Sequence, residues 1–330
     1  MKSLVFPLTL LLGIQIFFGL ILTSSHDEMA AFQAEDPLLD LSLEDIDEVL
    51  ITVREEGQSE RVLTLRKESD IWILPDYYAF PVSGKKLSVL QEKLFQIKKP
   101  YPVGSTELAA KQFEVSDKTF QTRVELKKEG DIIETLYLGT SPSFKKIHLR
   151  RKDELQTYAI PFSSYELRAK ENAWLNREYL HLQPSDIKSI TFHDFTLERD
   201  ESSSMLLPQG MDASSEQAAR STIDDFVKNI TTLSFLDVLG EEVKDEYNLT
   251  KPAHTLRVAL NDGTEVRYDF GDVKDETHYV LRLSGEERLL KIAGYQVDKI
   301  KDVTRADLIE AKEPVSSTAE TSTENQTGEN

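Results

Sequence analysis

The chain contains no cysteine. That excludes disulfides, thiolate metal sites, iron–sulfur ligation, cysteine nucleophiles and a lipidated N-terminal cysteine. Glycine and proline are sparse, at 14 and 12 of 330 residues, while hydrophobic residues make up 39%. Such a composition folds, so wholesale disorder is excluded. Positive charge is in deficit: 39 Lys and Arg stand against 58 Asp and Glu, a net charge of −19. A nucleic-acid binder needs surplus cations facing the phosphates, so nucleic acid is excluded as a general partner. Paired chemical motifs are missing as well. The six His residues form no His-Glu-x-x-His or His-x-His pattern, and no Ser stands in Gly-x-Ser-x-Gly. The carboxylates of Gly271–His278 lack the spacing of a calcium loop and read as a solvated hairpin turn. No catalytic residue, metal ligand or cofactor is assigned, and the chain is read as a non-enzyme.

What is present begins with a long apolar run. Lys2 is followed by Leu4–Leu22, 19 residues without a charge. As a helix it would span about 28 Å, close to the hydrocarbon thickness of a bilayer. No Lys or Arg follows until Arg54, whereas Asp27, Glu28, Glu35, Asp36 and Asp40 do. That asymmetry keeps the amino end in the cytoplasm and exports the rest. The expectation is a single-pass protein of the bacterial cytoplasmic membrane, in contact with the bilayer through residues 4–22 and with its bulk on the periplasmic side. A retained anchor and a cleaved signal peptide both remain open. The run exceeds a usual signal core, but Thr23-Ser24-Ser25 offers cleavage positions. Export without cysteine fits a bacterial envelope.

A shift of about 132 residues aligns two halves of the exported part. Leu63-Thr-Leu65 meets Phe195-Thr-Leu197, and Trp72 stands near Met205. Val124-Glu-Leu126 meets Leu256-Arg-Val258, Gly139 meets Gly271, and Arg150 meets Arg282. Each half opens with alternating apolar residues: Ile46, Val49, Ile51 and Val53, then Ile187, Ile190 and Phe192. Period-2 alternation is the mark of a half-buried strand. A helix follows in each. Ser83 caps a stripe of Leu87, Leu90, Leu94 and Ile97, and Ser214 or Ser215 caps Ile223, Phe226, Val227, Ile230 and Leu233. Asn261-Asp-Gly263 marks a hairpin, with Glu129-Gly130-Asp131 its weaker counterpart. The expected class is α+β: two tandem copies of a mostly antiparallel sheet with helices on one face, after the N-terminal transmembrane helix. The divisions are residues 1–25 (anchor or signal), 26–42 (acidic linker), 43–180 and 181–309 (repeat domains) and 310–330. Serine, threonine and glutamate crowd the last stretch, which is expected to be disordered.

Several of these features together resemble the bacterial family known only as domain of unknown function 4340. The likeness rests on the membrane run before two β-rich copies, the Trp72-Ile73 strand, Leu138-Gly139 and Phe270-Gly271, and Trp174-Leu-Asn-Arg177. Phe113-Glu-Val115 and Tyr247-Asn-Leu249 look like that family's tyrosine–glycine–leucine turn, with the glycine replaced in both. The resemblance implies architecture and location but no activity. By association with relatives beside gliding-type exporters, it implies an accessory role to an ABC-type exporter.

Charge divides the copies. Residues 44–180 hold 22 basic and 23 acidic residues, whereas 181–309 hold 15 and 25. Two basic clusters, Lys85, Lys86, Lys93, Lys98, Lys99 and Lys145, Lys146, Arg150, Arg151, Lys152, form the candidate docking face. The functional expectation is a membrane-anchored envelope protein whose tandem domains bind another envelope or transporter protein. The alternatives are a glycan-binding or structural module and an envelope hydrolase. Exposed aromatics on one sheet face would favour glycan.

Overall fold

A computed structural model describes residues 36–54 and 59–312. The apolar run Leu4–Leu22, most of the acidic linker and residues 313–330 lie outside the described residues. Among the described residues no helix is long and apolar enough to cross a membrane. The chain divides into two compact units between Asn176 and Arg177. Residues 177–180, expected in the first domain, contact the second unit. Arg177 donates to the carbonyl of Phe235, and the Tyr179 hydroxyl donates to Glu286.

The first unit is built from β1 (Glu48–Val53), β2 (Arg61–Glu68), β3 (Ile71–Leu74), β4 (Phe80–Pro81), α1 (Gly84–Leu90), β5 (Pro102–Gly104), α2 (Glu107–Gln112), β6 (Thr122–Lys128), β7 (Asp131–Leu138), β8 (Ile147–Arg151) and β9 (Thr157–Ile160). Its sheet runs β4-β3-β2-β1-β6-β7-β8-β9-β5, with antiparallel pairs throughout. Alternation drives the central strands: Val124 and Leu126 of β6 are buried while Arg123 and Glu125 are only half-buried. Ser83 stands at the head of α1 without a side-chain capping bond, and a π-helical turn, Gln91–Phe95, continues the helix.

The second unit contains β10 (Ile187–Phe192), β11 (Phe195–Arg199), β12 (Leu206–Pro208), β13 (Glu216–Ala218), α3 (Arg220–Thr231), β14 (Asp237–Gly240), β15 (His254–Leu260), β16 (Glu265–Asp272), β17 (His278–Leu283), β18 (Leu289–Ala293), α4 (Gly294–Lys301) and β19 (Ile309–Ala311). Its large sheet runs β12-β11-β10-β15-β16-β17-β18-β14. Replacing each strand by its counterpart gives the order of the first unit without β4. The registers agree too. Thr122 pairs with Leu138 and His254 with Phe270; Tyr137 pairs with Arg150 and Asp269 with Arg282; Ile147 pairs with Ile160 and Tyr279 with Ile292. Every one of these partners stands 132 residues from its equivalent.

One expected helix start is corrected. Ser214 and Ser215 do not cap α3, which begins after Ala219. Asp212 takes both serine hydroxyls and the Ser214 amide, closing a turn. Residues 216–218 then pair with 309–311, and a ladder of that kind excludes helix.

Both units share one packing device. Glu114 and Asn248 replace the expected turn glycine and hold φ of 55° and 51°. That left-handed conformation is where glycine has no steric cost and asparagine little. It turns the carbonyls of Phe113 and Tyr247 onto Gly139 and Gly271. An added Cβ would lie 2.0 Å from the Phe113 oxygen in one unit and 1.8 Å from the Tyr247 oxygen in the other. The carbonyls two residues further on, of Val115 and Leu249, accept from Arg150 and Arg282. Buried side chains hold each turn against the sheet: Val115 packs with Ala110, Phe120 and Tyr137, and Leu249 with Tyr247, Val280 and Leu289.

Candidate functional site

The first unit carries an open cleft of about 820 Å³. Three segments line it. The β1–β2 ends supply Val53, Arg54 and Arg61; the approach to β6 supplies Glu114, Phe120 and Thr122; the segment after β9 supplies Tyr165, Arg168 and Lys170. Local anchors fix that last segment. Ser163 caps the 3-10 turn Ser164–Leu167, whose Leu167 is buried. The buried Trp174 donates its indole N–H to the Arg168 carbonyl at 2.8 Å. Arg168 lies 4.4 Å over the exposed Tyr165 ring.

Arg54 is also held in place. Its guanidinium pairs with Glu60, donates to the Lys118 carbonyl at 2.8 Å and lies 4.2 Å from the Phe120 ring centre. Glu114, the one lining carboxylate among the described residues, accepts from Gln121 Nε2 at 2.7 Å. Arg61, Arg168 and Lys170 have no carboxylate partner among the described residues. Among the described residues the lining sets four cations against one carboxylate, an excess of three positive charges. Two guanidiniums beside an aromatic ring, with no carboxylate partner among the described residues, suit carboxylates, which they can grip through paired N–H donors.

None of the ten residues of the sequence-derived docking face lines this cleft. Lys85, Lys98, Lys145, Lys146 and Lys152 are exposed, and Lys86 is half-buried. Lys93 pairs with Glu166 at 2.8 Å. Lys99 and Arg151 meet on Glu154, at 3.4 and 3.0 Å, and Arg151 also pairs with Glu134. Arg150 drops out of any docking face. It is 5% exposed, and its guanidinium is spent on the carbonyls of Val115, Lys152 and Glu154 and on Asp117. The cleft cations come from stretches more than 100 residues apart and share no periodicity, so no pattern in the sequence could have grouped them.

The histidines also rearrange. Sequence separation hides a pair: His254 Nδ1 stands 3.3 Å from His193 Nε2. Burial pulls the His254 imidazole below its ordinary pKa, helped by His193 and Lys301 and opposed by Asp302 and Asp272. His148 is lowered by burial, stacks 4.1 Å from Phe113 and shares a hydrogen bond with the Thr140 hydroxyl. Among the described residues no group of three or more His, Asp or Glu could hold a metal ion.

Two antiparallel sheets of one strand order, joined in series, with a cationic cleft on the first, define the chain as a two-unit α+β protein. A family model described as Domain of unknown function (DUF4340) matches residues 72–252, more than half of the chain, and the chain belongs to that family. The match starts in β3 and runs into the second unit. No curated protein matches, and no solved structure does.

Proposed function

We propose that this chain is a non-enzymatic, membrane-anchored envelope protein whose tandem domains bind a partner protein, with the first domain receiving an acidic segment of that partner. The observation that carries the reading is the cleft, where Arg61, Arg168 and Lys170 have no carboxylate partner among the described residues, in a chain of net charge −19. A short acidic segment feels the local cations, because screening confines fields to about 8 Å at physiological salt. A long polyanion would meet the acidic remainder and be repelled. Tyr165, exposed beside Arg168, adds apolar surface at the rim. The two units are read as copies of one domain. Their common strand order and the 132-residue offset of their ladders support this.

The full-length chain in detergent should bind a fluorescent hexaglutamate peptide. Reversing Arg61, Arg168 and Lys170 to Glu should weaken that binding roughly tenfold or more, since charge-assisted hydrogen bonds contribute about 1.5–3 kcal/mol each. Reversing Lys145, Lys146 and Lys152 should leave it unchanged. Equal affinity of the cleft-reversed and original proteins at low salt would defeat the proposal.

The topology proposal rests on the uncharged run Leu4–Leu22 and the acidic flank after it. A periplasm-dependent reporter fused after Asn330 should be active. A reporter active only in the cytoplasm would overturn both topology and compartment.

A further inference from the structure

The ladder registers place the second unit's histidine pair where the first unit has its cleft. Thr122 opens β6 and lines the cleft; its equivalent opening β15 is His254. Arg61 lines the cleft, and His193 stands 132 residues on, in the short β10–β11 connection. Glu114 lines the cleft, and its left-handed equivalent is Asn248. The same end of the sheet therefore presents cations in one unit and two imidazoles in the other.

The geometry of the imidazoles is specific. Their ring planes are 79° apart, and a nitrogen of each faces the other at 3.3 Å. The Phe192 ring holds His193 edge-on at 3.9 Å, and Tyr279 stands 6.0 Å from His254. A hydrogen bond between two neutral imidazoles is one use of this distance. A second follows from coordination chemistry. Two nitrogens bound at about 2.05 Å to a tetrahedral ion stand about 3.3 Å apart, whereas a right-angled, square-planar pair stands about 2.9 Å apart. The observed separation is the tetrahedral edge. His193 is exposed, so the remaining positions open to water. Of the charged groups around His254, Asp272 and Asp302 favour a cation and Lys301 opposes one. The unit as a whole is acidic, with 25 Asp and Glu against 15 Lys and Arg over residues 181–309.

We propose that His193 and His254 form a two-histidine site for a borderline divalent cation, zinc being the best fit, at the sheet end where the first unit instead carries its anion cleft. The ion is held by His193 Nε2 and His254 Nδ1, with water in the other positions. The inference does not depend on what the first unit binds.

Isothermal titration of the full-length chain with zinc chloride tests it. The original protein should take up one zinc ion at a site whose affinity falls roughly tenfold or more in His193→Gln and again in His254→Gln. Cobalt chloride should give the strong visible absorption of a tetrahedral centre, which no thiolate can contribute because cysteine is absent. That spectrum needs no variant, so a misfolded mutant cannot decide the outcome. Zinc affinity unchanged in the His193→Gln/His254→Gln protein would overturn the proposal. So would no zinc uptake, or only the weak absorption of hydrated octahedral cobalt, leaving the pair as a hydrogen bond.

Discussion

Replacing Gly271 by alanine is expected to cost about 3 kcal/mol or more and to unfold the second unit first. The added Cβ would sit 1.8 Å from the Tyr247 carbonyl oxygen, 3.0 Å from its carbon and 3.1 Å from Leu249 Cδ2. The first two are backbone atoms of a turn already held at φ 51° by Asn248, so they cannot yield as a flexible side chain would. Relief requires moving β16 away from the turn. That separates Tyr247 and Leu249 from Val280 and Leu289, a buried cluster. Overpacking costs typically 1–3 kcal/mol even when side chains alone must adjust. Gly139→Ala should behave likewise, with the Phe113 and Glu114 oxygens at 2.0 and 2.4 Å. Gly84→Ala is the control: nothing lies within 4 Å of its Cβ, and alanine is the better helix former. Urea midpoints followed by far-UV circular dichroism measure the contrast. If Gly271→Ala melts at the same urea concentration as Gly84→Ala, the close approach is absent.

Arg150→Met is expected to destabilise the first unit by about 3 kcal/mol, and Arg282→Met the second by about 1 kcal/mol, although the two arginines hold the same register position. Arg150 is buried, and its Nε–H donates to Val115 O at 2.7 Å. Its Nη1 serves Lys152 O at 3.0 Å and Glu154 O at 2.9 Å, and Nη2 pairs with Asp117. The guanidinium lies 4.9 Å from the Tyr137 ring centre. Methionine fills the volume but leaves several carbonyls without their donor, and such orphaned groups cost about 1–3 kcal/mol each where water cannot replace the bond. Arg282 has a side chain 38% exposed and, among the described residues, reaches only Leu249 O and Asp269, both at 3.1 Å, so water can take over. Lysine at position 150 should not rescue, because one ammonium cannot match a planar fork of donors. Equal losses at the two positions in chemical denaturation would show that the burial difference carries no energetic weight.

The local pattern was enough to read most of the strands. Val124 and Leu126 alternate with charged neighbours, Asn261-Asp-Gly263 turns one hairpin, and the offset of 132 residues pairs Gly139 with Gly271 and Arg150 with Arg282. Shorter pieces escaped. β5 and β14 have three and four residues, too few for a period, and they close the sheet edges through long-range pairing with β9 and β18. The ladder between β13 and β19 joins segments about 90 residues apart and displaced the start of α3.

By itself the sequence determined the chemistry available to this protein: no thiol, an acidic surface, an apolar N-terminal run, and alternating strands in two parallel series. These depend on residue type and on neighbours a few positions apart. Only the tertiary structure decided which charges are free. Arg150, one of ten basic residues in two surface-like clusters, is buried because a turn 35 residues earlier points a carbonyl at it. Arg61 and Lys170 line a cleft with no carboxylate partner among the described residues, and two scattered histidines meet at 3.3 Å. Burial and pairing are properties of distances in space, and the chain sets those distances only when strands far apart in sequence lie side by side.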